Sequence, residues 1–568
     1  MHQPDMQART SLYYDYQLFP FVCPPELKGK VNRHPVAIVG AGPIGLLCAL
    51  NLAQQGVASV VLESEAQVSM GSRAIVFTRR SMEILQQAGV AERMLEKALP
   101  WRCGNSFYQG KRVFRMEAPH REDDRFEPLN NLQQQYLEQY LLEQAAASPL
   151  VEVRWASKVV TVSQDQEGVL LGMDTPEGEY QLQADWLIAA DGARSHVRKA
   201  LGLRMTGSSY SGNFVIADIR IDLDLPTERL AFFDPVWNRG NTVLMHREPE
   251  GIWRIDYQLP EGETAEQALS TDSLHERINA QLAMMGITAD WEMDWCSVYS
   301  ARAMTLDNYR HGRVLFCGDA AHLLPIFGVR GANTGLQDAQ NLSWKLAMVV
   351  KQQAGATLLD SYSAERVAAA REIIDEAGKS TRFMTPPSRG YRLLRDAVLS
   401  LSLKETFVGP LFHWRTSRAH DYRQSLLTLP DQPGFVRGPE PGAPLLNMRL
   451  REDYLLDYTG NRFNLLLFSD NNTVPETIQR QLDELNEQGL SMGIILLSPS
   501  VTDSSVTGNL TLLSDEQLRC RHAYGAQDGS VYLVRPDHHV SARWIEGTDI
   551  AFSDILEQLL ATKLGVMA

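Results

Sequence analysis

The chain has 568 residues, of which 44% are hydrophobic and 22% charged, as expected for a globular protein of roughly two to four domains. The net charge of −15 and the pI near 5.4 disfavour a nucleic-acid-binding protein, which needs a basic surface. Six scattered cysteines without a C-x-x-C pattern predict no metal site and fit a reducing, cytoplasmic setting. The sequence contains no run of 18 apolar residues, so it predicts no membrane span.

Strand and helix patterns alternate in the first 200 residues. Residues 1–34 are rich in Tyr and Phe and are expected to pack as an arm on the surface of a domain. Residues 35–66 have the pattern of a strand, a glycine-rich turn, a helix and a second strand. Further patterns predict helices over 79–98 and 132–147, and strands between 151 and 190.

The second half of the chain changes pattern several times. Residues 205–300 are mostly strand-like, as in "FVIADIRIDL" and "GIWRIDYQL", with one predicted helix near 264–285. Helical patterns return over 335–384 and continue after "MTPPSRG" to about residue 405. The Pro/Gly-rich stretch 429–445 is typical of a linker. Strands and helices alternate again over 446–568.

The first motif that carries chemistry is a G-x-G-x-x-G sequence formed by Gly40, Gly42 and Gly45. It follows the strand "VAIV", and Pro43 and Ile44 open the next helix. Such glycines allow a tight turn and a close approach of the backbone to a pyrophosphate, which the helix N-terminus also favours. Glu63 ends the second strand, where it can accept hydrogen bonds from a ribose. The motif predicts NAD or FAD and does not choose between them.

Two further motifs end strands later in the chain. "WLIAADGARSHVRKALG" runs from a strand into Asp191-Gly192 and then into a helix that contains Arg198. "VLFCGD" ends at Asp319, which can hold a polyol hydroxyl. The glycine-rich loop after Asp319 allows the backbone to approach a flat ring and leads into a helix. Three such strand ends, far apart in sequence, suit one long extended cofactor.

These three motifs, in this order, resemble those of the single-component FAD-dependent aromatic hydroxylases with the p-hydroxybenzoate hydroxylase fold. The pattern is most similar to the branch of 3-(3-hydroxyphenyl)propionate hydroxylase and phenol hydroxylase. The resemblance is strong over about residues 35–385 and looser over 446–568. It implies an α/β protein with a Rossmann-like FAD-binding domain, an inserted β-sheet substrate domain and a C-terminal thioredoxin-like domain. The lack of a C-x-x-C motif excludes dithiol exchange in that last domain.

The resemblance assigns site residues position by position. Glu63 and the motif from Gly40 to Gly45 would hold the ADP half of a tightly but non-covalently bound FAD. The residues that match other cofactor contacts of the family are Arg73, Gln134, Asp191, Asp319, Pro325, Gly331, Ala332 and Asn333.

Two positions depart from the pattern of the family. Ile326 replaces a proline, and Arg330 replaces a neutral glutamine near the flavin. The guanidinium of Arg330 either steadies an anionic substrate or the reduced flavin, or it forms a surface salt bridge.

The resemblance also implies a domain division. The predicted parts are an N-terminal extension (1–34), a non-contiguous FAD-binding domain (35–204 and 301–385), a substrate-binding sheet (205–300), a helical segment with a linker (386–445) and the thioredoxin-like domain (446–568).

The implied reaction consumes NADH or NADPH as a transient co-substrate. Reduced FAD reacts with O2 and hydroxylates a phenolic substrate through a flavin C4a-hydroperoxide. Pro325 and Arg330 are the catalytic candidates beside the flavin, and His246 and Tyr257 are candidates from the strand-rich segment, together with Arg254 and Asp256. The alternation in "WRIDYQ" puts Arg254, Asp256 and Gln258 on one face, towards either a pocket or solvent. A homodimer is a further expectation.

Two alternatives remain open from the sequence. One is an FAD oxidoreductase that acts on a non-aromatic or polycyclic substrate by epoxidation or oxygenative ring opening. The other is a flavin- or nucleotide-binding protein without enzymatic activity. A second G-x-G-x-x-G after a strand is absent from the sequence, which disfavours reductases with a separate NAD(P)H-binding domain.

Overall fold

A parallel sheet with helices packed on it frames the first part of the chain. The structure is a computed structural model that describes residues 1–325, 327–412, 416–547 and 550–560, apart from the side chain of Ser211. Its first elements are β1 (Arg33–Val39), α1 (Pro43–Gln54), β2 (Ser59–Leu62), β3 (Val76–Thr78), α2 (Arg79–Gln87), α3 (Ala91–Leu95), β4 (Leu99–Trp101), β5 (Cys103–Tyr108), β6 (Lys111–Glu117), β7 (Leu129–Asn131), α4 (Gln134–Ala146), β8 (Val151–Arg154), β9 (Lys158–Gln164), β10 (Val169–Thr175), β11 (Gly178–Ala189) and α5 (His196–Ala200).

The middle of the chain first builds long strands and then long helices. The elements are β12 (Thr206–Ile221), β13 (Arg229–Phe233), β14 (Thr242–Arg247), β15 (Ile252–Gln258), α6 (Ala265–Ala268), α7 (Thr271–Met284), β16 (Trp291–Thr305), β17 (Arg310–His311), β18 (Val314–Phe316), β19 (His322–Leu323), α8 (Gly331–Val350), α9 (Leu358–Met384) and α10 (Arg389–Ser402).

The last part of the chain is a smaller α/β unit. Its elements are β20 (Arg449–Leu450), β21 (Asp453–Tyr454), β22 (Phe463–Phe468), α11 (Glu476–Glu487), β23 (Met492–Ser498), β24 (Ser505–Thr507), β25 (Leu510–Ser514), α12 (Arg519–Tyr524), β26 (Val531–Val534), β27 (Val540–Trp544) and α13 (Phe552–Leu560).

The first sheet has eight strands. Six of them follow the order β8-β2-β1-β11-β18-β17 and are parallel except at β17, and β10 pairs antiparallel with both β11 and β9. Its central strands β1 and β2 are short apolar runs because they are buried in the core on both faces. The loops after β1, β2, β11 and β18 therefore meet at one edge of the sheet, where ligands bind in open α/β folds. This arrangement confirms the predicted Rossmann-like α/β class.

The second sheet has the order β19-β16-β12-β15-β14-β13-β5-β6. Its back face packs on α7 through Leu274 and Ile278. Its front face meets the loops of the first sheet. β5 and β6 belong to this sheet, since β5 pairs in parallel with β13, whereas the sequence placed residues 103–117 with the FAD-binding segment. Pairing between segments more than 100 residues apart leaves no local signal in the sequence.

The C-terminal unit contains a six-stranded mixed sheet in the order β24-β25-β23-β22-β26-β27. A buried ionic cluster joins it to α8 and α9: Arg535 donates to Glu365 at 2.8 and 2.9 Å, and Lys345 donates to the same carboxylate at 2.7 Å. Cys520 is buried. The thioredoxin-like character of this unit stays a prediction.

The N-terminal arm packs against both large sheets. Phe19 stacks on Trp155 beside the first sheet, with ring centroids 4.3 Å apart, and Ser11 donates to Asp294 on β16 of the second. Within the described ranges, no helix is both long and apolar enough to cross a membrane, and no group of three His, Cys, Asp or Glu side chains is placed to bind a metal.

Candidate active site

The turn after β1 is tightly constrained by its neighbours. Gly40 has a φ of +105°, and a Cβ there would lie 2.5 Å from the carbonyl oxygen of Ala190. A Cβ on Gly45 would lie 2.0 Å from the carbonyl oxygen of Gly40, whereas one on Gly42 would meet open space. Glu63 Oε2 accepts a hydrogen bond from Ala41 N at 2.8 Å and so fixes the turn against the end of β2. The Gly42 backbone is therefore accessible at the sheet edge.

The first motif packs directly on the third. α1 begins at Pro43, and Ile44 contacts both the turn after β18 and the first turns of α8. A Cβ on Gly335 would lie 2.8 Å from Ile44 Cδ1, so a glycine is needed for this close approach. The start of α8 at Gly331 and Ala332 consequently lies near the same sheet edge, and a Cβ on Gly331 would meet open space.

Arg198 joins the second motif to the third. Its guanidinium donates to the Ala193 carbonyl at 2.8 Å and to the Ala320 carbonyl at 2.9 Å. Asp191 Oδ2 accepts from Val197 N at 3.0 Å. Asp191 Oδ1 is buried and has no hydrogen-bond partner among the described residues. No role was predicted for Arg198 from the sequence, although it lies inside the quoted motif.

Asp319 combines an exposed carboxylate with a dense protein environment. Its side chain is accessible to solvent, yet the surrounding protein desolvates it and raises its pKa above the usual value, while the charges of His322 and Arg73 oppose that rise. A carboxylate at the bottom of a concave surface is both accessible to solvent and desolvated by the surrounding protein. Arg73 is exposed, and its charge lowers the pKa of the Asp319 carboxyl, so the structure brings these two predicted residues close together.

Asp338 is a buried hub that holds the loop around Asp319. It accepts from His322 Nε2 at 2.6 Å, from Arg366 Nε at 2.6 Å and from Gly318 N at 3.1 Å. Although burial opposes ionisation of Asp338, His322 and Arg366 hold its pKa below the usual value. Arg366 also donates to Tyr422 at 2.8 Å. The sequence carried no sign of this hub, because its members are far apart along the chain.

Two residues matched to cofactor contacts use their side chains inside the protein. Asn333 Oδ1 accepts from Thr78 N and Ser81 Oγ, and its Nδ2 donates to two backbone carbonyls, so only its backbone is left to face a ligand. The Gln134 amide bridges Ala74 N and Glu138 in the same way. Both side chains therefore position the loops.

The loop before α8 contains Pro325 and Arg330, and Ile326 between them lies outside the described residues. Pro325 is buried. Arg330 is 2% exposed, donates from Nε to the Phe327 carbonyl at 3.3 Å, and places Nη1 3.8 Å from Glu376. Of the two roles predicted for Arg330, the structure shows an ion pair, which joins the buried guanidinium to α9 and does not lie on the surface.

The front face of the second sheet carries a row of charged side chains. The strand register places His246 beside Arg254 and Arg254 beside Asp218, all on one face. Arg254 Nε and Nη2 each lie 2.8 Å from an Asp218 oxygen, and Arg254 also donates to the carbonyls of Ser72 and Arg73. This face therefore meets the loop that carries Arg73.

Tyr257 points the other way and is a correction to the sequence-based candidates. It belongs to the core on the back face, where its ring lies 5.6 Å from Trp237 and below the guanidinium of Arg277. Side chains alternate along a strand, so Tyr257 is turned away from its neighbour Asp256.

Burial shifts the pKa values of several groups on the front face. Burial and the charges of Arg229 and Arg254 lower the pKa of His246 well below its usual value. Burial, helped by Asp218 and opposed by Arg254 and Arg229, raises the pKa of Asp256 to about 7. Asp256 Oδ1 and His246 Nδ1 are buried without hydrogen-bond partners among the described residues.

An aromatic cluster lies beside Asp256. Phe214 stacks on Tyr299 with ring centroids 5.6 Å apart and meets the edge of Phe327 at 5.5 Å. Phe327 belongs to the loop before α8, and β19 after Asp319 pairs with β16. The loop at the third motif and the front face therefore form one continuous structure.

Comparisons with known proteins agree with this geometry. The family described as FAD binding domain matches residues 33–377. The 3-(3-hydroxy-phenyl)propionate/3-hydroxycinnamic acid hydroxylase of Escherichia coli O8 (strain IAI1) is 31% identical over 538 residues, which cover 92% of this chain and 94% of that protein. The enzyme of the same name from Mycolicibacterium smegmatis (strain ATCC 700084 / mc(2)155) is 28% identical over 91% of this chain and 90% of its own length.

Solved structures share the fold. The flavin-dependent monooxygenase PieE, in complex with FAD and substrate, has a TM-score of 0.78 and 22% identity, covering 93% of this chain and 99% of its own. The p-nitrophenol 4-monooxygenase PnpA from Pseudomonas putida DLL-E4 has a TM-score of 0.58 and 25% identity over 69% of this chain and 100% of its own.

The chain belongs to the FAD binding domain family and is an FAD-dependent monooxygenase of the aromatic hydroxylase class. The residues present fit FAD: Asp191 Oδ1, which has no partner among the residues that the structure describes, the accessible Gly42 backbone and the Asp319 carboxylate lie around one sheet edge.

Proposed function

We propose that FAD extends along the sheet edge, with its adenosine end at Glu63 and its flavin ring at the start of α8. The Gly40–Gly45 turn and Arg73 would hold the pyrophosphate, Asp191 and Asp319 would accept hydrogen bonds from cofactor hydroxyls, and the backbone of residues 331–333 would face the flavin ring. The close contacts of Ile44 and Arg198 between the three loops support this placement. Bound FAD supplies the redox chemistry by accepting a hydride from NADH or NADPH and activating O2 for transfer of one oxygen atom to an aromatic ring.

The substrate would be a monocyclic phenol with a short acidic side chain, bound against the front face of the second sheet. The names of the relatives support this class, and so does the positive charge of Arg229 on this face, whereas the Arg254 guanidinium is paired with Asp218. Burial lowers the pKa of Arg229 only to about 10, so this residue stays charged at neutral pH. The rings of Phe214, Phe327 and Tyr299 would exclude water from the reacting carbon.

The single observation that carries the mechanism is the buried Oδ1 of Asp256, which has no hydrogen-bond partner in the described part of the chain. Its side chain is 8% exposed, it faces the aromatic cluster, and its pKa of about 7 matches the task of a general base at neutral pH. Asp256 Oδ1 would take the proton of the phenolic hydroxyl, and the resulting phenolate is the form that accepts an electrophilic oxygen. His246, which burial keeps neutral, would only orient the substrate through a hydrogen bond.

The nicotinamide co-substrate would bind transiently, since the sequence contains one G-x-G-x-x-G motif after a strand.

The test of the proposed function is a panel of phenols with and without an acidic side chain, scored for stimulated NADH and NADPH oxidation in the FAD-loaded protein. We expect oxidation to rise sharply with a phenolic acid, and one atom of ¹⁸O2 to appear in the product. Oxidation that no phenol stimulates would contradict the proposal.

A further inference from the structure

A cavity of about 150 Å³ lies between α9 and α10, away from the sheet edge that fits FAD. Phe383, Leu394 and Val398 form apolar walls, and Lys379, Arg382 and Arg395 bring positive charge. Phe383 separates this cavity from the second sheet, because its ring meets the edge of Phe233 with the centroids 5.6 Å apart.

Arg395 is the unusual member of this lining. Its side chain is 1% exposed, and Nε and Nη2 both lie 3.2 Å from one oxygen of Asp396. Nη1 is buried without a hydrogen-bond partner among the described residues. Burial lowers the pKa of Arg395, so its charge is incompletely compensated by the protein. An unsatisfied buried donor is costly to a fold, and a bound anion would satisfy it.

The size and lining of the cavity limit the ligand. A cavity of about 150 Å³ with apolar walls holds one benzene ring and nothing much larger. A bare inorganic anion would leave the apolar walls without contacts, and a neutral ring would leave Arg395 Nη1 without an acceptor. A single aromatic ring with one carboxylate satisfies both requirements.

We propose that this cavity is a second binding site for a single-ring aromatic carboxylate. The carboxylate accepts a hydrogen bond from Arg395 Nη1 in the field of Lys379 and Arg382, and the ring lies against Phe383, Leu394 and Val398. The site binds its ligand without oxidising it, since Phe383, whose ring packs on Phe233 of the second sheet, separates the cavity from the front face. This inference goes beyond the proposed reaction and does not depend on it.

Benzoate is the probe for this site in the FAD-loaded protein, because it carries the ring and the carboxylate but no phenolic hydroxyl. Equilibrium dialysis counts all bound benzoate, and the change in flavin absorbance reports only benzoate near the cofactor. A ligand of this size is expected to bind with a Kd of about 1 mM or tighter. We expect dialysis to count one equivalent more than the flavin absorbance does.

Substitutions separate this site from the front face. R395M should remove one equivalent of bound benzoate and leave the flavin-detected binding unchanged, whereas R392M, on an exposed residue of the same helix, should behave as wild type. L394W fills the cavity from a residue that is 57% exposed, and it should also remove that equivalent if R395M does not fold. Neutral benzamide should bind at this site at least about tenfold more weakly. Equal benzoate binding by wild type and either R395M or L394W, or equal binding of benzamide, would overturn the proposal.

Discussion

The loops at the edge of the first sheet and the front face of the second sheet differ in how most of their buried polar groups are paired, although the loops also keep Asp191 Oδ1 and His322 Nδ1 without partners among the described residues. Around the loops, Asp338, Arg366 and Arg198 have partners at 2.6 to 3.3 Å, so the cofactor frame is held by the protein itself. On the front face, Asp256 and His246 each keep a buried atom without a partner in the described structure. Satisfied groups hold a geometry, whereas unsatisfied groups in a cleft are available to a ligand.

The largest expected effect on turnover comes from D319A, which removes a proposed cofactor contact from the frame, because protein that has lost its FAD cannot catalyse the reaction at all. Loss of a charge-assisted hydrogen bond lowers affinity about 10- to 100-fold, so the variant should purify largely colourless. Absorbance at the flavin bands measures the FAD content. D307A, which changes an exposed aspartate paired with Arg371, is the matched control. A D319A protein with the full FAD content would remove Asp319 from the proposed site.

The next effect is that of D256N, which removes the proposed base but keeps the shape of the side chain. Loss of a general base lowers the rate about 10²- to 10⁴-fold, and FAD binding should be unchanged. In wild type, kcat/KM should rise with pH through about 7, because Asp256 must be ionised to accept the proton. Burial is the main cause of this raised pKa, Asp218 raises it further, and Arg254 and Arg229 oppose the rise; Glu248 and Tyr299 lie in the field of Asp256 on the same face.

Stopped-flow measurement of product formation across pH 5–9 checks the role of Asp256. The D256N profile should lose the rise near neutrality when the substrate is a phenol of high pKa. An unchanged rate and an unchanged pH profile would leave Asp256 as a structural residue.

A smaller effect is expected for R330Q. Because Arg330 is a buried partner of Glu376 on α9, its loss should lower the free energy of unfolding by about 1–3 kcal/mol. The KM for a phenolic acid should change less than about twofold, since the guanidinium points to α9. Denaturant titration and steady-state kinetics measure the two effects. A large rise in KM at unchanged stability would instead support contact with an anionic substrate.

The smallest effect should be that of Y257F, which changes the residue after Asp256 on the opposite face. The hydroxyl lies in the back-face core, so kcat and the pH profile should remain close to those of wild type. Steady-state kinetics beside D256N makes this a matched comparison within one strand. A loss in Y257F as large as that in D256N would show that the two faces of β15 are wrongly assigned.

The strand, turn and helix units that carry the three motifs could be predicted from the sequence because each motif is local. A strand, a turn and a helix N-terminus follow one another within about ten residues at Gly40 and Asp191, and apolar runs mark the strands before them. The resemblance then ordered the three motifs along one cofactor. The helices over 134–146 and 358–384 could also be predicted from the periodic spacing of their apolar residues.

The front face could not be predicted because it depends on contacts between distant segments. Alternation showed that Arg254, Asp256 and Gln258 share a face of β15, but which face meets the FAD-binding loops follows from the Arg254 contacts to residues 72 and 73. For the same reason the sequence could not rank Tyr257 below Asp256 as a catalytic candidate. The packing of the back face on α7 shows that Tyr257 belongs to the core. Likewise the side chains of Asn333 and Gln134 match the family pattern and serve the protein interior.

A crystal structure of the protein with FAD and a phenolic acid tests the central claim most directly. The account predicts one FAD that contacts Glu63 at its adenosine end, Asp319 in the middle and residues 331–333 at the flavin ring, with the phenolic oxygen within hydrogen-bond distance of Asp256. An FAD that does not reach Asp319, or a phenol bound on the back face beside Tyr257, would contradict it.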